Sequence, residues 1–273
     1  MGRILLGTLL LLVISGSSSV VCAQAWSGRE HGGITAVQLQ KRLDVVTTYL
    51  SSTAAVWPEL GAELAFINAK YTWDIGAMTE LEFYDAKFDE KLASMRGAEA
   101  TYYKVRVDQL RTEVTKFALE KQMAAIKKLL VLLADFPSYT RRADVRLELA
   151  SMYIIQENWR GAYGAAALVV GERTATHKHL ATAYLNMGMA RMNEHRYDEA
   201  IVELQKVLPF TTSRDYIWSL YYTAMVLSKQ HRWLEAVQMY DRVLDCSKSC
   251  GGDDLTIDAR KHKNEAIDMM AKH

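Results

Sequence analysis

The chain has 273 residues, half of them apolar, and a formal net charge of +1. That is enough apolar material for one or two domains with a buried core. The balanced charge excludes the basic patch or stripe that marks a nucleic-acid binder. Three prolines in the whole chain favour long helices, as does the abundance of Ala, Leu, Met, Glu, Lys and Gln.

Residues 1–25 read as an export signal. Arg3 supplies the positive start, Ile4 to Ile14 is an apolar run too short for a membrane span, and small residues lead to Ala23-Gln24-Ala25, an A-x-A cleavage site. Cleavage after Ala25 would leave Trp26 first and place the protein in the periplasm or outside the cell. Cys22 follows an apolar run, as a bacterial lipid-attachment cysteine does, but Val21 stands where that signal needs a small residue. Membrane contact would follow only from lipidation of Cys22. Residues 26–35, rich in Gly and small polar residues, read as a flexible leader.

From Ala36 the apolar spacing turns helical, through Val37, Leu39, Leu43, Val46 and Leu50. Pro58 disfavours helix just before it and suits the first turn of the next helix, which carries Leu60, Leu64, Ile67 and Tyr71 to about Asp74. Gly76 reads as a break, with a third segment from Met78 capped by Thr79 and holding Leu81, Tyr84, Phe88, Leu92 and Met95. Gly97 interrupts it. From there to Phe136-Pro137 the apolar spacing fits either one long helix or a hairpin bending near Thr115. Residues 36–117 thus form an N-terminal helical region, a bundle or long-helix segment through which the chain could form homo-oligomers.

After Pro137 a phrase recurs: Trp159-x-x-Ala162, Tyr197-x-x-Ala200 and Trp233-x-x-Ala236, in steps of 38 and 36 residues. A fixed period in this range signals stacked helical hairpins. The spacing predicts pairs at 142–155 with 158–171, 177–193 with 196–209, and 214–230 with 233–246. A closing helix from Asp253 or Asp254 would be half polar, as the exposed end of a stack requires. Twelve residues before each alanine stands another small residue, Ala150, Gly188 or Ala224, which lets the two helices of a hairpin approach closely.

These residues resemble the tetratricopeptide repeat (TPR). The match rests on Leu149-Ala150-x-x-Tyr153, on Gly188 with Ala200, and on Ala224 with Ala236, and Ala125 with Pro137 resembles half of a degenerate earlier repeat. The steps exceed the family's usual length, its Trp is replaced by Arg146, Tyr184 and Leu220, and its closing proline survives only at Pro137, with Pro209 displaced. The resemblance implies an all-α fold, a TPR-like α-solenoid over residues 118–273 with a capping helix at its end. It also implies a groove built from the first helix of each hairpin and lined by Leu147, Ser151, Ile154, Leu185, Met189, Met192, Trp218, Tyr221 and Met225. Methionines and aromatics adapt to and anchor apolar partners, so such a groove would take a peptide or helix of another protein. Asn186 and Asn193 are the only echo of the family's carboxylate clamp, and no Lys or Arg stands beside them, so that ligand is not expected.

No catalytic constellation is legible, and neither cofactor nor metal is implied. His177 and His179 are too few for a metal site. Cys246 and Cys250, four apart at a helix end, would join in an oxidising compartment if the last turn opens. The expected role is a non-enzymatic protein-binding scaffold of the cell envelope, possible contributions being to envelope or outer-membrane assembly. The alternatives are a membrane-anchored lipoprotein subunit and a regulatory subunit of an envelope enzyme.

Overall fold

The computed structural model describes residues 34–210, 214–250 and 253–272, with the side chains of 247–254 left aside. The expected signal, Cys22 and most of the leader lie outside the described residues. All regular structure among the described residues is helical: α1 (Ala36–Thr53), α2 (Pro58–Asp85), α3 (Phe88–Ala93), α4 (Gly97–Asp135), α5 (Arg142–Ile155), α6 (Trp159–Val170), α7 (His177–Asn193), α8 (Tyr197–Gln205), α9 (Arg214–Lys229), α10 (Trp233–Cys250) and α11 (Asp253–Lys272). None of these helices is long and apolar enough to cross a membrane.

The first helix starts on a capping box, in which the Thr35 hydroxyl accepts from the Gln38 N–H and the Gln38 side chain accepts from the Thr35 N–H. Glu82 of α2 accepts a further bond, at 2.7 Å, from the Ala36 N–H. Leu39 and Leu43 then bury against Ile75 and Met78 of α2.

Two expectations for α2 need correction. Gly76 does not break the helix, which runs unbroken from Pro58 to Asp85. Its missing side chain serves packing, because a Cβ there would stand 2.9 Å from the Ala118 carbonyl oxygen of α4. Thr79 is no cap but an interior residue, whose hydroxyl donates to the Ile75 carbonyl at 2.7 Å. The chain does turn after Asp85, at Lys87, which has a left-handed φ of 53°. The segment expected to follow Met78 therefore reduces to the short α3. Gly97, with φ +66°, marks the start of α4. Of the two readings of residues 98–135, one helix is the observed one, 39 residues long. It carries the chain straight across position 117–118, where the N-terminal region was expected to give way to the hairpins.

The three hairpins fall close to their expected limits. Each turn is built the same way. Glu157, His195 and His231 adopt left-handed φ values of 55°, 59° and 60°. Their N–H groups donate to Ile154, Met192 and Ser228, and the next N–H groups, of Asn158, Arg196 and Arg232, reach back to Tyr153, Arg191 and Leu227 at 2.8, 2.9 and 2.9 Å. This is the Schellman ending, and it satisfies carbonyls that a helix end leaves open. The aromatic of the repeated phrase then opens the second helix. All six small residues of the pattern are buried. Gly188 is the tightest contact, where a Cβ would fall 2.5 Å from Leu204 Cγ.

Each helix from α5 to α10 packs on its successor, and α5, α7, α9 and α11 also touch in series. One core joins α2, through Ala62, Phe66, Ala69 and Trp73, to α4, α5, α6 and α7. A second runs from α5 to α11.

Candidate interaction surfaces

The first helices carry the row expected to line a groove, and they place most of it in the core. Leu147, Ile154, Leu185, Met189, Met192, Trp218 and Tyr221 are all buried, and only Ser151 and Met225 are half-buried. Trp218 stacks on Tyr222 with ring centres 5.7 Å apart. The Tyr221 hydroxyl lies 3.0 Å from His262 Nδ1 of α11, so the closing helix covers this end of the row. Burial pushes the Tyr221 hydroxyl pKa up. The expectation is corrected to this extent: seven of the nine side chains belong to the two cores rather than to an open surface. Repeat spacing identifies which helix face these residues share. It does not encode how tightly successive hairpins close on that face.

Asn186 and Asn193 also have structural settings. Asn193 donates to the Met189 carbonyl at 2.9 Å. Asn186 is buried with its Nδ2 unpartnered. His179 caps α7, its Nδ1 accepting from the Thr176 N–H at 3.1 Å, and its Nε2 lies 3.4 Å from Asp144 of α5. His177 packs its ring beside Phe210. Among the described residues no group of three or more His, Cys, Asp or Glu could hold a metal ion. Cys246 is half-buried against the second core. The expected bond to Cys250 involves a side chain outside the described residues.

Sequence reading missed two polar clusters. In the first, Lys128 of α4 reaches between helices and donates to Asn68 Oδ1 at 2.6 Å and to Thr72 Oγ1 at 2.8 Å. Asn68 in turn donates to Thr47 of α1 at 2.8 Å. Burial lowers the Lys128 pKa, and Lys121 lowers it further. Nearby on α2, Asp74 is buried, and its carboxyl is pushed up to about 7, first by burial, with Glu148 of α5 adding to the rise and Lys70 opposing it. The second cluster ties the α4–α5 turn to α2. Tyr139 donates to Glu63, Arg141 pairs with Glu63 at 2.6 Å and with Asp144 at 3.2 Å, and the Thr140 hydroxyl donates to Glu59 at 2.5 Å. Both clusters act as ties between helices.

The exposed apolar surface is concentrated elsewhere, on α4. Its inner face is buried at Val107, Ala118, Ala125 and Leu129, with Ala118 against Gly76 of α2 and Ala125 and Leu129 in the core that includes Phe66 and Trp73. Val105, Leu119, Met123 and Leu130 are 53%, 51%, 58% and 46% exposed. With Thr112 they are spaced 7, 7, 4 and 7 residues apart, so they share one stripe of the helix. Tyr102 and Val131 extend the apolar surface beside it. The apolar residues of this segment were legible in the sequence as helically spaced. Which of them α2 would cover was not.

No protein-family model matches the chain, and no curated protein matches it.

Proposed function

We propose that the chain is a TPR-like solenoid of helical hairpins built onto an N-terminal helical bundle, and that it acts as a non-enzymatic protein-binding scaffold in the cell envelope. The three identical Schellman turns and the serial contacts of α5, α7, α9 and α11 support the repeat reading. The export signal read in residues 1–25 supports the location. The partner surface lies on α4 rather than in the hairpin row, and one observation carries this. Four large apolar side chains stand about half exposed in a single stripe, on a helix whose inner face is already packed. A long apolar stripe in water is costly unless something covers it.

The test is site-specific photo-crosslinking in the producing cell. A crosslinker at Met123 is expected to form discrete protein adducts, and one at Arg173, an exposed residue between hairpins, is expected to form none. Equal labelling at both positions, or none at Met123, would refute the assignment of the surface.

A further inference from the structure

We infer that the partner on this surface is a second copy of the chain, paired antiparallel through α4. The inference rests on the docking reading above and adds the identity and orientation of the occupant. The stripe from Val105 to Leu130 covers 25 residue steps, about 38 Å of helix at ~1.5 Å each. A reversed copy centred near Ala118 is complementary to it. Val105 meets the partner's Leu130, Thr112 meets the partner's Met123, and the Lys116 stem meets the partner's Leu119. A two-fold pair repeats each of these contacts on its other half.

The charges select the same arrangement. Lys116 lies within the stripe and Glu120 on its flank; both are exposed, and neither has an ion-pair partner among the described residues. In the antiparallel pair each Lys116 lies beside the partner's Glu120, so the pairing forms twice. A parallel pair in register would set Lys116 against the partner's Lys116 in the seam itself, and like charges there are unfavourable. The inner face of α4 remains on α2 in either case, so pairing requires no rearrangement of the fold. With a lysine and a threonine in the seam, the association should be moderate in strength.

Sedimentation equilibrium of the full chain should therefore show a reversible dimer between about 5 and 200 µM, the range of a micromolar Kd. Leu119→Glu alters an exposed residue and should raise Kd at least tenfold, with the far-UV circular dichroism unchanged. Lys116→Glu should also weaken the dimer, and Lys116→Glu combined with Glu120→Lys should restore it, which a general loss of folding would not allow. A wild-type chain that stays monomeric at the top concentration, or a dimer indifferent to Leu119→Glu and Lys116→Glu, overturns the inference. The crosslinker at Met123 separates the two proposals. Adducts at twice the chain mass support self-pairing. Adducts only with a different protein, alongside a monomer, overturn self-pairing and leave the docking surface standing. No adduct overturns both.

Discussion

Asp74 is the side chain whose proton affinity should leave the clearest mark on stability. Its carboxyl is pushed from an ordinary value of 3.8 up to about 7 in the folded chain. Between those values the native state keeps a proton that the unfolded state has lost, so stability falls as pH rises from about 4 to about 7 and is flat above. Replacement by asparagine removes this slope. Asp74→Asn should match the wild type near pH 4 and exceed it at pH 8, by roughly 4 kcal/mol at most at ~1.4 kcal/mol per pKa unit. Denaturant melts at the two values measure this, and a difference independent of pH would contradict it. Two glycines give a matched pair at the same scale. Gly188→Ala drives a Cβ to 2.5 Å from the fully buried Leu204, and overpacking of this kind should cost about 1–3 kcal/mol. Gly164→Ala meets nothing within 4 Å and should stabilise by up to about 1 kcal/mol. The sequence could identify Gly188 as a close-approach residue because its position repeats. It could not do so for Gly76, whose neighbour Ala118 lies on another helix with no repeat to align it.

Helix limits were legible wherever a turn carries its own chemistry. The Trp159, Tyr197 and Trp233 phrases mark second helices because the residues before them complete a Schellman turn, which is a local device. The α2 helix was misread because a glycine inside a helix looks locally like a helix break. The repeated turn also predicts a gain. Glu157 occupies the left-handed region at φ 55°, which costs a side chain about 1 kcal/mol or more and glycine very little. Glu157→Gly should therefore raise stability by about 0.5–1 kcal/mol, after allowing for the greater freedom of glycine in the unfolded chain. His195 and His231 are poorer tests, since their rings contact Tyr197 and Trp233 and would be lost with the substitution. A lower melting temperature for Glu157→Gly would mean that its side chain contributes more than the strained backbone costs.

At the scale of the whole molecule, the all-α class and the order of the hairpins were readable. The relation of the N-terminal helices to them was not, because it depends on contacts far apart in sequence. Phe66 and Trp73 of α2 belong to the same core as Leu129, Leu147 and Met187, so the N-terminal helices support the first hairpins directly. The aromatic cluster at Trp218, Tyr221 and Tyr222 belongs to the other core. In a stack each unit is stabilised mainly by its neighbours, and the effect of a cavity should fade along the chain. Phe66→Ala empties a buried aromatic site and should cost about 3–5 kcal/mol locally. Hydrogen exchange would read where that loss goes. Amides of α2, α4, α5 and α6 should lose protection by that amount, while those of α9, α10 and the start of α11 should change by a small fraction of it. A uniform loss across all helices would instead mean that the two cores unfold as one cooperative unit, with Tyr153, Tyr163 and Tyr184, which pack against both, transmitting the whole effect.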